Sequence, residues 1–296
     1  MCVCIRQYQG EICICHPLKR LIRFEAYGIL FVIAGIFGVL LTASPLDLSL
    51  AYLLVFIAAS SAFGFVINDI SDIPLDSRAE KPRNPLADGS LSVRIACVVS
   101  AILLVVSLAC MALLPSSLLL IECCTLFVFI TYSYVIEAKN IAGLDLVYHA
   151  LFPSLYGLLG YLLYHPLDYT GIVYGVLLGI FGAVGELGNE IRDLEKDLSE
   201  RRNTVVIIGE RAAFFLTLAF MICAFCIIAV FSILGPGFFW LLPFVPFGLL
   251  LVHPVVKAMK EPEYRERFVG TINNRAIVLA AAMLVVYGIM RFTGTP

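Results

Sequence analysis

Nine apolar stretches, most of them about as long as a bilayer is thick, constrain this chain more than any other feature. A helix needs about 20 mainly apolar residues to cross the hydrocarbon core. The stretches lie near residues 26–43, 48–67, 95–114, 117–136, 145–164, 169–187, 212–234, 238–256 and 276–292. Because 61% of the 296 residues are apolar and only 14% are charged, an ordinary soluble domain is excluded. The sequence predicts one all-α polytopic membrane domain over residues 1–296, with about nine transmembrane helices.

Basic residues orient these helices. Every Lys and Arg except Arg291 lies before the first span or in a loop that follows an even-numbered span. The positive-inside rule places that side in the cytoplasm. We therefore predict a multi-pass protein of the cell membrane, with a cytoplasmic N-terminal segment at 1–25 and long cytoplasmic loops at 68–94 and 188–211. No nucleic-acid partner is expected.

Both of these loops carry the same acidic pattern. Asn68–Asp76 reads NDISDIPLD, and Asn189–Asp197, 121 residues later, reads NEIRDLEKD. Each motif contains, in this order, Asn, an acidic residue, Ile, any residue, Asp, an apolar residue, two further residues and a final Asp. On a helix the three acids fall at i, i+3 and i+7, so they can share one face.

Acids grouped in this way predict a metal site. Like charges at a helix end repel, and burying one near apolar surface is costly unless it is neutralised. A solvated acidic loop is the alternative for either motif alone, but the repetition argues against it. Carboxylate and amide oxygens without His or Cys favour Mg²⁺ over Zn²⁺, and Mg²⁺ usually keeps places for substrate phosphate. The candidate ligands are Asn68, Asp69, Asp72, Asp76, Glu190, Asp193 and Asp197.

Because Mg²⁺ usually keeps places for substrate phosphate, we expect a phosphate or diphosphate ligand. Basic residues that could bind such an anion follow both motifs. They are Arg78, Lys81, Arg83, Arg201 and Arg202. The stretch TYSYVIEAKN adds Tyr132 and Lys139 at another cytoplasmic helix end. Guanidinium groups bind phosphate bidentately and Lys acts as a point charge. Topology alone could also place bases on this side of the membrane, and it stays the alternative for each of them.

The ten cysteines include two Cys-X-Cys pairs near the N-terminus, at Cys2, Cys4, Cys13 and Cys15. Structural zinc sites usually space their cysteines by two or more residues. In a reducing cytoplasm we predict free thiols, with the other six as small apolar residues within spans. A metal or redox role is the alternative.

Internal repeats with intramembrane acids also occur in secondary transporters, whose ion sites lie near the midplane. Here the acids lie at helix ends among bases, which is a poor place for alternating access. An ion-coupled transporter is therefore the distant alternative to an enzyme.

Several motifs together resemble the UbiA superfamily of intramembrane prenyltransferases. NDISDIPLD matches that family's NDxxDxxxD in full, and EIRDLEKD resembles its second motif, with Glu190 where many members have Asp. KPRNPLADGSLS resembles RPxRPLxSGxLS, with Asn84 at the second Arg position and Arg83 one place earlier. LIRFE resembles the LxRPE that opens the first span, and YSYVIEAK resembles the family's Tyr…Lys loop. The resemblance covers residues 20 to about 215.

This resemblance implies a ring of nine helices, built as two four-helix pseudo-repeats plus one. It also implies Mg²⁺-dependent transfer of a prenyl group from a prenyl diphosphate to a lipophilic acceptor within the bilayer. Two Mg²⁺ ions would be bound, one by Asn68, Asp72 and Asp76 and the other by Asp193 and Asp197. Asp69 and Glu190 would be further ligands or supporting groups.

The resemblance also assigns roles to basic and aromatic residues. Tyr132 would face the allylic cation or hydrogen-bond the diphosphate, and Lys139 would neutralise the leaving group. The expected diphosphate-binding residues are Arg23, Lys81, Arg83, Lys139 and Arg201. The second motif looks closest to the branch of digeranylgeranylglyceryl phosphate synthases, which implies geranylgeranyl diphosphate as donor and geranylgeranylglyceryl phosphate as acceptor in ether-lipid synthesis. An aromatic quinone precursor of the 4-hydroxybenzoate or naphthoate type is the alternative acceptor.

Overall fold

Helices make up most of the chain in this computed structural model, which describes residues 4–7, 10–13, 15–42, 44, 47–78, 83–234, 242 and 245–293. Apolar spans form helices because the bilayer core offers no water to the backbone polar groups. In chain order the α-helices are α1 (Cys15–Ile22), α2 (Ile29–Leu41), α3 (Leu48–Ser71), α4 (Ile73–Asp76), α5 (Val93–Leu113), α6 (Leu119–Ile130), α7 (Leu144–Leu162), α8 (Tyr169–Asp197), α9 (Thr204–Ile208), α10 (Glu210–Leu234), α11 (Leu249–Lys260) and α12 (Arg265–Thr293).

Short turns of other helical types join these elements. Within the described residues, π-helical turns cover Phe24–Gly28 and Thr131–Val135. In the same part of the chain, 3₁₀ turns cover Ser116–Leu118, Ala138–Asn140, Pro246–Gly248 and Pro262–Tyr264. An antiparallel hairpin, β1 (Cys4–Gln7) with β2 (Gly10–Cys13), precedes α1, with Cys4 opposite Cys13 and Gln7 opposite Gly10. The sequence prediction was all-helical and did not include this hairpin.

Six helical segments in the described part of the chain are long and apolar enough to cross a membrane: Leu48–Ser71, Val93–Leu113, Ser116–Val135, Tyr169–Asp197, Glu210–Leu234 and Pro262–Met290. A shorter apolar helix, Ile29–Leu41, occupies the first predicted span. The protein is therefore a multi-pass membrane protein whose spans are helical, as predicted. The predicted count of nine spans is not confirmed, because α11 covers the eighth with only 12 described residues.

Helix α8 is longer than the sequence prediction. It has 29 residues and ends at Asp197, whereas the predicted span ended at 187. The second acidic motif contains neither Gly nor Pro, so nothing in it stops the helix. This motif is therefore helical throughout rather than part of a loop.

Backbone contacts divide the chain into two compact units, Met1–Val32 with Pro45–Glu137 and Ile33–Ser44 with Ala138–Pro296. The boundary after Glu137 falls between the fourth and fifth predicted spans, as an architecture of two halves would require. Residues 33–44 depart from that scheme because they pack against α7 and α8. A Cβ on Gly160 would clash with the carbonyl of Gly35, and Tyr174 donates a hydrogen bond of 2.6 Å to the Ala34 carbonyl.

In the first unit, one apolar cluster fixes the segment that follows the first acidic motif. Leu21 of α1, Val66 of α3 and Ala96 of α5 are buried together with Leu86 and Leu91. Each fully buried Leu or Val contributes about 1.5–3 kcal/mol. The segment 83–92 is thereby held against the end of α3.

In the second unit, a larger cluster joins α8, α9, α10 and α12. Its buried members include Leu187, Ile191, Val205, Phe214 and Phe268. Because Leu187 and Ile191 flank the start of the second motif on α8, this core determines which face of the helix carries the acids.

The six cysteines whose side chains are described, all in α5, α6 and α10, are free thiols. All six lie in helices that occupy predicted spans, as expected; Cys110 is buried and the other five are exposed. The predicted thiols of Cys2, Cys4, Cys13 and Cys15 lie outside the described side chains.

Candidate active site

The first acidic cluster, Asn68, Asp69, Asp72 and Asp76, forms where α3 gives way to α4. Asp72 is the C-terminal cap of α3, and the Asp76 amide donates to the Asp72 carbonyl at 2.8 Å, which starts the short α4. Pro74 lies in the first turn of α4, where its missing N–H costs little. Asn68 Nδ2 donates to Asp72 Oδ2 at 3.2 Å, so these two predicted ligands are adjacent.

Asp69 is the most buried member of this cluster. Its Oδ1 accepts a hydrogen bond in an ion pair with Arg23 Nη2, while its Oδ2 is buried without a hydrogen-bond partner. Arg23 lies between α1 and the first π-helical turn in a left-handed conformation (φ 51°), which is uncommon for a non-glycine residue. The predicted diphosphate-binding Arg23 is thus joined to the predicted metal cluster through Asp69.

Asn84 holds the chain after this cluster. Its side chain, only 1% exposed, donates to the Asp69 carbonyl at 2.7 Å and to Asp76 Oδ2 at 3.0 Å, and accepts from the Leu86 amide at 2.9 Å. The UbiA pattern has an arginine here. In this chain the position has a structural role, because a buried amide can donate to two acceptors and still accept one bond.

Arg20 of α1 also holds the segment 83–92 that follows the first acidic cluster. It forms an ion pair of 2.7 Å with Asp88 and donates to the Arg83 carbonyl at 2.7 Å. Burial opposes ionisation of Asp88, but hydrogen bonds from Ser90 and the Arg20 guanidinium outweigh it, so the pKa of Asp88 lies below its ordinary value. The Arg83 side chain itself is exposed. Lys81 lies outside the described residues.

The second acidic cluster, Glu186, Glu190, Asp193 and Asp197, lies along one face of α8. Asp193 receives two hydrogen bonds from Arg192, at 3.0 and 2.6 Å. Asp197 Oδ2 accepts from Asn203 Nδ2 at 2.9 Å, and Arg201 Nε lies 3.7 Å from Asp197 Oδ1. The structure therefore brings the predicted residues Asp193, Asp197 and Arg201 into one polar region of the second unit.

Glu190 accepts a hydrogen bond from a backbone amide, unlike the other predicted ligands of α8, Asp193 and Asp197, which contact side chains. Its side chain is 4% exposed, and its Oε2 accepts from the Val205 amide at the start of α9 at 2.9 Å. Its Oε1 is buried without a hydrogen-bond partner. Glu186, one turn earlier, lies 3.0 Å from His149 Nε2 of α7. Both glutamates thus connect α8 to its neighbours.

Tyr132 and Lys139 both lie in irregular helical turns. Tyr132 is 8% exposed in the π-helical turn after α6, and such turns recur at functional sites. Lys139 is 5% exposed in the 3₁₀ turn before α7. Burial to this degree is rare for Lys unless its ammonium group is paired.

The donor chemistry of the clusters fits Mg²⁺. Among the described residues, no three His, Cys, Asp or Glu side chains converge as a ready-made metal cage. What each cluster offers is a small number of carboxylates, joined in the first cluster by the amide oxygen of Asn68. Mg²⁺ is usually bound in this way, with substrate phosphates and water completing its octahedron.

Comparison with known proteins decides the family. The sequence profile of the UbiA prenyltransferase family matches residues 29–275. The chain belongs to this family. No curated protein sequence matches the chain.

Solved structures of UbiA proteins share this fold. A UbiA homologue from Archaeoglobus fulgidus bound to GPP and Mg²⁺ superposes with a TM-score of 0.71 at 19% identity, covering 90% of this chain and 98% of that one. A homologue from Aeropyrum pernix K1 without ligand gives 0.71 at 17% identity, covering 88% and 97%. A structure of digeranylgeranylglyceryl phosphate synthase gives 0.61 at 21% identity, covering 90% and 98%.

Sequence reasoning missed several polar residues that support the clusters in this UbiA protein. Asn84 was noted only as a departure from the family pattern. Asn203 precedes the apolar run TVVII, and an Asn before such a run is a helix N-cap signal that could have identified it. Asp145 and Thr204 are 59 residues apart in sequence, so no local pattern links them.

Proposed function

We propose that this UbiA family member transfers a prenyl group from a prenyl diphosphate to a lipophilic acceptor in the membrane, in a Mg²⁺-dependent reaction. The observation that carries the proposal is the pair of acidic clusters, each at the end of a long membrane helix and each next to a guanidinium group. Structures of Archaeoglobus fulgidus homologues bound to GPP or DMAPP with Mg²⁺ support a diphosphate as the ligand.

In this proposal the clusters hold the metal. Asn68, Asp72 and Asp76 bind one Mg²⁺, and Asp193 and Asp197 bind a second. Bound Mg²⁺ would supply the positive charge that neutralises a departing diphosphate. Asp69 and Glu190 are further ligands or supporting groups, and the hydrogen bond from Val205 to Glu190 favours the supporting role for that residue.

Basic side chains add charge for the diphosphate. Arg23 combines an ion pair to buried Asp69 with a side chain that is still 33% exposed, so it can contact a ligand while Asp69 fixes its position. Arg83, Arg201, Lys139 and Lys81 complete the proposed set. Charge-assisted hydrogen bonds of this kind are roughly twice as strong as neutral ones.

The allylic cation formed when the diphosphate leaves needs protection from water. In this proposal the apolar membrane helices exclude water from the cation, and the ring of buried Tyr132 would stabilise positive charge through its π-face. The acceptor then attacks the cation, forms the new bond to carbon and releases its proton.

For the acceptor we propose geranylgeranylglyceryl phosphate, with geranylgeranyl diphosphate as donor. The structural likeness to digeranylgeranylglyceryl phosphate synthase supports this choice. The adjacent Arg201 and Arg202 also support it, because a phosphate on the acceptor needs cationic partners. A quinone precursor of the 4-hydroxybenzoate or naphthoate type is the second candidate, since Mg²⁺ and diphosphate binding would be unchanged. The match to the UbiA prenyltransferase family argues against the alternative of an ion-coupled transporter.

We further propose that the clusters face the cytoplasm. The support is the charge distribution, because every Lys and Arg except Arg291 precedes the first span or follows an even-numbered one.

A turnover assay tests the reaction and the acceptor together. Purified protein in lipid receives geranylgeranyl diphosphate with either geranylgeranylglyceryl phosphate or 4-hydroxybenzoate, with and without Mg²⁺, and products are identified by mass spectrometry. We expect a Mg²⁺-dependent prenylated glyceryl phosphate. An aromatic product would change the acceptor and leave the site as proposed. If neither product forms and geranylgeranyl diphosphate does not bind, the proposed function is refuted.

A further inference from the structure

Three consecutive residues before and within α9 are each tied to a carboxylate of the second unit. We call Asn203, Thr204 and Val205 the α9 clamp. All three are nearly buried, at 1%, 5% and 0% exposure. Loops rarely bury consecutive residues unless their backbone groups find partners.

Thr204 makes the most hydrogen bonds in the α9 clamp. Its amide donates to Asp145 Oδ2 at 2.5 Å and its hydroxyl donates to Asp145 Oδ1, also at 2.5 Å. The same hydroxyl accepts from the Gly143 amide at 2.7 Å. Asp145 is fully buried in the first turn of α7, so this bidentate contact fixes α9 against that helix.

Asn203 links the clamp to the second acidic cluster. Its Oδ1 accepts from the Val206 amide at 3.0 Å and caps α9, which leaves its Nδ2 to donate to Asp197 Oδ2 at 2.9 Å. Asp197 has only 3% of its surface exposed. The direction of its carboxylate therefore depends on where Asn203 is held.

We propose that Thr204 is a positioning residue, which acts through Asn203 to orient the Asp197 carboxylate for the divalent cation. This inference rests on the proposed function, because it takes Asp197 as a metal ligand. Thr204 itself does not touch the cation. With Asn203 holding Oδ2, the cation would be bound by the other oxygen, Oδ1, which lies 3.7 Å from Arg201 Nε.

Two substitutions at Thr204 separate positioning from packing. Thr204→Val keeps the shape but removes the hydroxyl, so Asp145 loses a donor and the Gly143 amide loses an acceptor. Thr204→Ser keeps the hydroxyl and is the matched control. Asn203→Ser is an independent variant, because a serine can still cap α9 but is too short to reach Asp197.

The experiment measures binding of Mn²⁺, by electron paramagnetic resonance, to the purified full-length protein with geranylgeranyl S-thiolodiphosphate, an unreactive donor analogue. Groups that orient metal ligands typically change metal affinity 10–100-fold when they are replaced. We expect Thr204→Val and Asn203→Ser to bind Mn²⁺ about tenfold more weakly than the native protein. Thr204→Ser should stay within about twofold and keep a melting temperature close to native. Thr204→Val and Asn203→Ser should fold with a lowered melting temperature, because each leaves a buried polar group without a partner, so binding is measured well below that temperature.

Native Mn²⁺ affinity in either Thr204→Val or Asn203→Ser would overturn the inference and leave the proposed function intact. If Thr204→Val fails to fold, Asn203→Ser decides the matter by the same criterion. If the native protein does not bind Mn²⁺ with the analogue, the proposed function fails, and the inference fails with it.

Discussion

Replacing Arg23 by Gln should destabilise the protein more than neutralising the carboxylate that it pairs with. Asp69 has a side chain only 1% exposed, and its Oδ2 already lacks a partner. Removing one partner of a fully buried ion pair costs about 3–5 kcal/mol. Because 33% of the Arg23 side chain is exposed, solvent screens part of the pair, and we expect a loss of about 2 kcal/mol.

Asp69→Asn should cost less than about 1 kcal/mol. The neutral amide keeps an acceptor for Arg23 and needs no counter-charge. It also removes the repulsion between Asp69 and the neighbouring acids Asp72 and Asp76.

A double-mutant cycle tests this reasoning. The free energy of unfolding is measured by SDS titration in mixed micelles for Arg23→Gln, Asp69→Asn and the double variant. We expect the double variant to recover most of the loss seen in Arg23→Gln, because no uncompensated charge stays buried. If Arg23→Gln costs no more than Asp69→Asn, or if the two effects simply add, the ion pair does not have the assigned role.

Three further predictions concern stability, each measured by the same unfolding titration. Asn84→Ala should cost about 3 kcal/mol, because three hydrogen bonds are lost at a buried position; a loss below about 1 kcal/mol would contradict its assigned role. Gly160→Ala should be strongly destabilising, because its Cβ would meet a backbone carbonyl, whereas Gly185→Ala, with nothing within 4 Å, should be neutral or slightly stabilising. Similar effects in both would refute the packing argument. Glu122 is fully buried with both carboxylate oxygens unpartnered, so Glu122→Met should stabilise the protein by about 1 kcal/mol or more; a clear loss of stability would reveal a partner.

Local patterns in the sequence were sufficient to predict most of the long membrane helices and to identify the acidic motifs. Apolar length alone located α3, α5, α8 and α10, because a spanning segment must be helical. The spacing of the acids predicted a common helix face for each motif; the second motif does lie along α8, whereas the first is divided between α3 and α4. The family match and the shared fold confirm that these motifs belong to a UbiA prenyltransferase.

Long-range contacts could not be predicted in the same way. The bidentate contact of Thr204 with Asp145 joins residues 59 apart, and the bonds from Asn84 depend on how the chain folds back after α4. The assignment of residues 33–44 to the second unit likewise depends on close helix contacts at Gly35 and Gly160. Such contacts arise from packing in three dimensions and leave no periodic signal in one sequence.

The most direct test of the central claim, that both acidic clusters are required for prenyl transfer, is the Mg²⁺-dependent turnover of Asp72→Asn and Asp193→Asn. Glu195→Gln removes an exposed acid from the same helix as Asp193 and serves as the control. We predict that each of the two Asp variants stays folded and loses at least about a hundredfold in turnover, while Glu195→Gln remains near native. Full activity in both Asp72→Asn and Asp193→Asn would contradict the account.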